Sequence, residues 1–150
     1  MNIISQTPTV TAGAYSADDA VGGKLTFTGC PEDGLIHNAV LIDNSEQAVE
    51  LDLVLFSEDF TAVADNAAFT VSDADAANIV TIINIPAANY KDIGGQKVAV
   101  VENKSIPFKL TEDTSTKYAR LYGQLITRGT PTYVATTDIT VKIGVLPYSG

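Results

Sequence analysis

The chain has 150 residues, 45% of them hydrophobic, which is the size of one domain with enough apolar material for one core. Only 18% of the residues are charged, too few for a coiled coil or a long solvated helix. Nine basic and 18 acidic residues give a net charge of −9, and such a chain would on average repel the phosphates of a nucleic acid.

The sequence shows no segment suited to a membrane. It has no run of 18 apolar residues and no basic amphipathic stretch that would bind anionic lipid. The first eight residues lack the basic and apolar regions of a secretory signal. A single cysteine allows no internal disulfide. We therefore expect a protein made in a reducing cytoplasm, with neither nucleic acid nor membrane among its partners.

Charge is divided unevenly along the chain. Residues 1–75 carry 13 acidic residues and one basic residue, and residues 76–150 carry five acidic and eight basic residues. If the two halves formed separate surfaces, they would favour head-to-tail contacts between subunits. We expect the charges to mix instead, because interleaved strands would scatter both halves over one globule.

Alternating apolar runs bounded by turn residues begin after an irregular start. Residues 1–20 show no core-forming pattern, which predicts an extended N-terminal arm that orders on a neighbouring subunit. One domain is then predicted over residues 21–150. Its first strand is predicted at residues 24–28, with the glycine pair at 22–23 and the residues at 29–31 as flanking turns.

Two longer strands are predicted at residues 35–43 and 49–56. In the second strand, a period of two predicts that the outer face is solvent-exposed at its beginning, where it carries Glu50 and Asp52. The inner face of that strand is predicted to consist of Val49, Leu51, Leu53 and Leu55.

Proline and glycine mark the elements of the second half. Pro86 ends a predicted strand, the glycines at 94–95 form a turn, and Pro107 places its strand at an edge or a bulge. The predicted strands here are residues 80–85, 97–101, 105–110, 118–128 and 138–146.

Many short strands with almost no helical period predict an all-β fold. Clean alternation indicates antiparallel pairing, since parallel strands covered by helices would be continuously apolar. The expected architecture is an antiparallel β-sandwich or jelly-roll-like domain with at most one short helix. A β-barrel and an α+β fold remain as alternatives.

Residues that could carry catalysis are scarce. His37 is the one histidine and lies inside a predicted strand, where we expect a structural or exposed side chain. Cys30 precedes Pro31 with no close basic neighbour, which predicts a buried or half-buried thiol. One histidine and one cysteine exclude a zinc site within one chain. We therefore predict no catalytic residue, no metal and no cofactor, and hence a protein that is not an enzyme.

Two groups of carboxylates are candidates for a calcium site or for a catalytic pair. Asp73, Asp75 and Asn78 come nearest to a calcium loop but lack the central glycine and distal glutamate of an EF-hand. A short helix over residues 74–78, capped by Ser72 or Asp73, explains them more simply.

Glu50 and Asp52 form the second group. They share one strand face, roughly 6.6–6.8 Å apart along the strand, a spacing compatible with glycoside hydrolysis. The chain has no tryptophan and only 7% aromatic residues, so platforms for a sugar are missing. We expect a solvated strand face here.

One strand face carries the residue types of a protein interface. In the predicted strand 118–128, aromatic and arginine side chains alternate outward, a composition typical of interface surfaces. The residues of this predicted interface are Tyr118, Arg120, Tyr122 and Arg128.

Several stretches, spread over most of the chain, resemble small virion proteins of tailed bacteriophages. None of them is a mechanistic motif. The similar stretches are residues 9–23, 25–27, 53–56, 65–69, 121–125 and 127–133.

The resemblance implies a capsid decoration (cement) protein, commonly a trimeric β-rich module that sits on the shell and has no catalytic residues. It implies the major capsid protein and further copies of the chain as partners, and the capsid surface of the virion as location. A tail or head-fibre module that binds a receptor or glycan is the alternative, and a small carboxylate-dependent hydrolase is a lesser one. In the predicted arm, the capsid-binding candidates are Thr9, Thr11, Tyr15, Asp18 and Asp19.

Overall fold

The protein is an all-β sandwich of two antiparallel sheets packed against each other, as the sequence predicts. The computed structural model describes residues 2–111 and 119–148. The six-stranded sheet has the order β1-β10-β3-β7-β6, with β8 also paired to β3. Its strands are β1 (Asn2–Gln6), β3 (Asp33–Asp43), β6 (Tyr90–Asp92), β7 (Lys97–Val101), β8 (Ile106–Lys109) and β10 (Ile139–Pro147).

The four-stranded sheet has the order β2-β9-β4-β5. Each sheet therefore combines strands from both halves of the chain, which makes most pairings long-range. The strands of this sheet are β2 (Ala20–Cys30), β4 (Leu51–Phe56), β5 (Ile79–Ile85) and β9 (Ala119–Thr127).

The main core lies between the two sheets and follows the period of two in the sequence. In β10, Ile139, Val141, Ile143 and Val145 are fully buried while the residues between them face outward. In β4 the inward residues are Leu51, Leu53 and Leu55, which confirms the predicted inner face from residue 51 onward. Val49 precedes β4 and packs against the same core while remaining partly exposed.

The alternation in β3 is interrupted at His37. Asn38 lies opposite Gly144 and Ile36 lies opposite Val145, so His37 is an extra residue on this strand. As a result both Ile36 and Ala39 are buried, although a strict period of two would place them on opposite faces.

The glycine pair at 22–23 lies within β2 rather than in a turn before it, so that boundary prediction is wrong. The register of β2 against β9 shifts between Val21 and Leu25, which makes the pair part of a bulge. Gly22 has a φ of +77°, and a Cβ there would lie 2.6 Å from the Cβ of Pro8. Glycine is needed here because Pro8 and Thr9 of the N-terminal segment (residues 7–19) pack directly against this strand.

The N-terminal residues do not form an arm apart from the domain, which corrects that prediction. β1 pairs with β10, and Val10 and Tyr15 are 1% and 3% exposed within the main core. The sequence concealed this because residues 7–19 pack as an irregular segment whose apolar residues follow no strand or helix period.

The predicted short helix and the predicted turns of the second half are present, although the helix lies one residue earlier at its start and two at its end than predicted. The helix α1 spans Asp73–Ala76, and the Ser72 side chain caps it by accepting a hydrogen bond from the Asp75 backbone N–H. β5 ends before Pro86, Gly94 and Gly95 lie between β6 and β7, and the strand with Pro107 is an edge strand paired to β3 alone. Within the described residues, no helix is long and apolar enough to cross a membrane.

The outer side of the four-stranded sheet is covered by the chain itself. Val54 and Phe56 point outward from β4, and with Phe60 and Ile126 they form a second, smaller hydrophobic cluster. Phe60 stacks on Phe56 with 3.9 Å between ring centroids. We call residues 57–75, which supply Phe60 and Phe69 to this cluster, the covering segment.

Candidate interaction surfaces

We call the predicted interface residues at β9 (Tyr118, Arg120, Tyr122 and Arg128) the β9 rim, and its described residues lie on the outer side of the four-stranded sheet. Arg120 is exposed and Tyr122 is half-buried against the second cluster. Two other outward residues of β9 are inaccessible, because the covering segment buries Gln124 and Ile126. The accessible surface is therefore smaller than the alternation predicts. Tyr118 lies outside the described residues.

Arg128 is engaged with carboxylates of its own chain. Its Nε donates to Asp52 Oδ2 at 2.8 Å and its Nη1 donates to Asp18 Oδ1 at 2.7 Å. These two hydrogen bonds raise the pKa of the guanidinium, Asp52 more than Asp18. Arg128 thus links Asp18 of the N-terminal segment to Asp52 of β4. The alternation of the strand predicts that Arg128 faces outward, but not which residues it binds.

The candidate residues of the N-terminal segment divide into exposed and anchored ones. Thr9 and Asp18 are exposed, whereas Tyr15 and Asp19 are buried. Asp19 Oδ2 accepts a hydrogen bond from the Ser16 backbone N–H at 2.9 Å. Most of the segment is therefore used to close its own domain.

Asp65 of the covering segment is the main anchor of this region. Its Oδ1 accepts hydrogen bonds from the Tyr15 hydroxyl at 2.6 Å and the Gly22 N–H at 2.7 Å. Its Oδ2 accepts one from Thr11 Oγ1 at 2.6 Å. Burial, together with the bond to Asp65, raises the pKa of Tyr15 to about 12.

Glu50 and Asp52, the candidate pair for glycoside hydrolysis, both accept hydrogen bonds from side chains of the protein. Asn84 Nδ2 donates to Glu50 Oε2 at 2.7 Å and to Asp52 Oδ1 at 2.9 Å, while Arg128 binds the other Asp52 oxygen. The arrangement is a cross-strand polar network between β4 and β5 that also reaches β9. It holds these side chains in place against the sheet.

The remaining candidate residues lie in the core, at the bulge of β3 and in the short helix. Cys30 is fully buried, and burial raises the pKa of its thiol to about 11. His37 is partly buried at the β3 bulge. Asp75 Oδ2 accepts from the Thr61 N–H at 3.1 Å, which links α1 to the covering segment. Among residues 2–111 and 119–148, no group of three or more His, Cys, Asp or Glu side chains could hold a metal ion.

The outer side of the six-stranded sheet presents an apolar surface that we call the open face, formed by Val40, Ile42, Val98 and Val100. Val40 lies opposite Val100 and Ile42 lies opposite Val98, so the four side chains form one block. Val100 is 39% exposed and the other three are partly exposed. An outward face of an antiparallel sheet is usually polar, so a β-branched block there is a candidate for an interaction surface.

Lysines border the open face on both sides. Lys142 of β10 lies opposite Val40, and Lys91 of β6 lies opposite Val98. The covering segment, on the opposite side of the sandwich, has no basic residue and five acidic ones. Those five are Glu58, Asp59, Asp65, Asp73 and Asp75.

The covering segment is acidic, but its side of the sandwich also carries basic residues: Lys24 of β2 is paired with Asp59, Arg128 binds Asp18 and Asp52, and Arg120 is exposed. Charges from the two halves of the chain therefore meet on this side, as interleaving predicts, while the covering segment itself contains no basic residue. A signal for the open face was present in the sequence: residues 40, 42, 98 and 100 are β-branched at the outward positions of two strands. Only the pairing of β3 with β7 brings them together.

Comparison with protein-family models, with curated proteins and with solved structures finds no match to this chain.

Proposed function

We propose that this chain is a non-enzymatic virion structural protein of a tailed bacteriophage, a capsid decoration protein that binds the major capsid protein and stabilises the head. It acts at the capsid surface as a homotrimer. It needs no cofactor, because its role is binding and not chemistry.

The observation that carries the proposal is the contrast between the two outer surfaces of one small sandwich. One is an apolar block bordered by lysines, and the other is a covering segment rich in carboxylates. A subunit held between neighbours needs two such different contacts. The sequence stretches that resemble phage virion proteins support a structural role in a virion, and the absence of repeats or a stalk pattern in the sequence favours decoration over a fibre.

The β9 rim is the surface that we propose for the shell. Arg120 is exposed next to the half-buried Tyr122, and aromatic and arginine side chains are the common anchors of protein interfaces. The rim lies beside the covering segment and away from the open face, which leaves the open face available for a second contact.

The test uses shells of the cognate phage assembled without this protein. We expect the purified chain to cosediment with these shells saturably and to raise their melting temperature, because it binds only the assembled state. Arg120→Glu should weaken binding by on the order of tenfold or more.

Lys109→Glu is the matched control, since Lys109 is also exposed but lies on β8 of the other sheet. It makes the same charge change and should bind like the unmodified chain. Folded protein that ignores the shells overturns the decoration role, and a glycan array then tests the fibre alternative. Binding that Arg120→Glu leaves intact overturns the choice of the β9 rim.

A further inference from the structure

We infer that the open face is a contact with a second copy of this chain, which docks its covering segment there in a head-to-tail arrangement. This inference deepens the proposed self-association and does not depend on capsid binding. It is carried by the composition of the two surfaces and by their charges.

The open face has the geometry of a docking surface. Two rows of outward residues cross the sheet in register: Ser5, Lys142, Val40 and Val100 form one, and Thr140, Ile42, Val98 and Lys91 form the other. Each row has apolar residues at its centre and a lysine next to them. An apolar centre with a charged rim is the composition of specific protein interfaces.

The charges on this side select an acidic partner. Lys91 is exposed and Lys142 is partly exposed, and neither has a carboxylate opposite it in the strand register. Glu102 shares a shallow groove with Lys91, Val98 and Val100 at one edge and is the acidic residue of that groove. The apolar block itself is bordered by positive charge.

The covering segment supplies the complementary surface. Glu58 and Asp73 are exposed there, and Val71, two residues before Asp73, is 36% exposed. An exposed valine close in sequence to a carboxylate offers the composition that an apolar block bordered by lysines would accept. At physiological salt the Debye length is about 8 Å, so these local pairs outweigh the repulsion between distant charges of two chains that each carry −9.

The symmetry of the contact follows from the placement of its two halves. The open face and the covering segment lie on opposite sides of the sandwich, so each copy offers one of each. Such a heterologous contact either closes into a ring or continues as a filament. Because the two surfaces lie on opposite sides, the contact stacks successive copies, and the molar mass distinguishes an open stack from a closed ring.

The experiment measures molar mass by light scattering and sedimentation at about 0.15 M salt, over a wide range of concentration. Val100→Asp places an acid on the open face, and Lys91→Glu with Lys142→Glu reverses its charged border. Both variants should raise the apparent dissociation constant by on the order of tenfold or more. Circular dichroism and thermal melting verify that each variant is folded.

The controls change the same residue types elsewhere. Ile93→Asp alters a residue that is 62% exposed in the β6–β7 turn, and Lys104→Glu with Lys109→Glu makes the same charge change outside the open face. Both should leave the oligomer intact.

A charge swap within one chain identifies the partner surface. Glu58→Lys and Asp73→Lys, added to the double lysine reversal, exchange the signs of both surfaces and should restore the oligomer. A wild-type chain that stays monomeric at millimolar concentration overturns both this contact and the proposed trimer. An oligomer that the open-face variants do not weaken, or that the swap fails to restore, overturns the contact alone.

Discussion

Single polar residues hold the irregular segments onto the sandwich. Asp65 accepts three hydrogen bonds from the N-terminal segment and β2, and Gln124 makes three with Gly22 and Val63. Gln124 is fully buried, so each of its polar atoms needs a partner within the protein. These side-chain hydrogen bonds hold the loops in place, as backbone hydrogen bonds between strands hold the sheets.

Buried Asp43 organises a turn in the same way. One oxygen accepts from the N–H and hydroxyl of Ser45, and the other accepts from the N–H groups of Gln47 and Ala48. Bonds to an ionised carboxylate are stronger than neutral ones. The turn that leads to β4 is therefore fixed by the side chain at the end of β3.

Because of the buried tyrosines, the free energy of unfolding decreases at alkaline pH. The pKa of Tyr15 rises from 10 to about 12 on folding, mainly because of burial; burial also raises the pKa of Tyr90 and Tyr133. The folded state holds these protons more tightly than the unfolded state. Their contribution is therefore complete below pH 10 and is lost as the pH rises from 10 toward 12.

We predict that the free energy of unfolding in urea falls steadily with pH above 10. Tyr15→Phe should lower stability near neutral pH, because Asp65 loses a donor, and should flatten the alkaline decline. Tyr148→Phe is the control, since Tyr148 is 65% exposed and should change neither quantity. A stability that stays constant to pH 12 would contradict the assignment.

At the scale of elements, the covering segment explains why β4 is apolar on both faces in its second half. Leu53 and Leu55 enter the main core, while Val54 and Phe56 pack under Phe60. The polar first half of the outer face, at Glu50 and Asp52, lies beyond this cover and bears the network with Asn84. Glu50 is exposed as predicted, whereas the Asp52 side chain is only 13% exposed because Arg128 and Asn84 bind it. The apolar remainder of this face has its own cluster.

Phe60→Ala tests the importance of this cover. Phe60 is 5% exposed and stacks on Phe56, so its truncation should lower the free energy of unfolding by about 3–5 kcal/mol. Chemical denaturation followed by circular dichroism measures the loss. Thr70→Ala in the same segment is exposed and should cost less than about 0.5 kcal/mol.

A small effect of Phe60→Ala would show that the covering segment packs only loosely. In that case the segment would expose Val54 and Ile126 for part of the time, and a dye that binds apolar surface would detect them. A large effect places the segment in the cooperative unit.

At the scale of the whole molecule, the N-terminal segment is part of the fold. Its residues Val10 and Tyr15 lie in the main core, and β1 extends the six-stranded sheet. The segment bonds to Asp65 and Arg128, which come from distant parts of the sequence. It thus joins the covering segment, the four-stranded sheet and the six-stranded sheet.

Deletion of residues 7–19 should therefore destabilise the domain rather than release an independent arm. We expect a large fall in melting temperature or loss of the cooperative transition, because two core side chains and the partners of Asp65 are removed together. Differential scanning calorimetry measures both. A deletion variant that melts like the full chain would restore the interpretation as an arm.

The sequence by itself determined most of the strands and the all-β sandwich class, but neither β1 nor β6. Alternation in β4, β9 and β10, the proline at the end of β5 and the glycines between β6 and β7 are local signals, because a strand has a period of two and turns need particular residues. The cap of α1 and the burial of Cys30 were predictable for the same reason.

Only the tertiary structure decided which strands are neighbours and what covers each outer face. The burial of Tyr15 and Gln124, the bonds of Arg128 and the assembly of the open face all depend on contacts between residues far apart in the chain. Such contacts leave no period in the sequence. The acidic covering segment and the lysine-bordered open face likewise come to lie on opposite sides of the sandwich only in the folded chain.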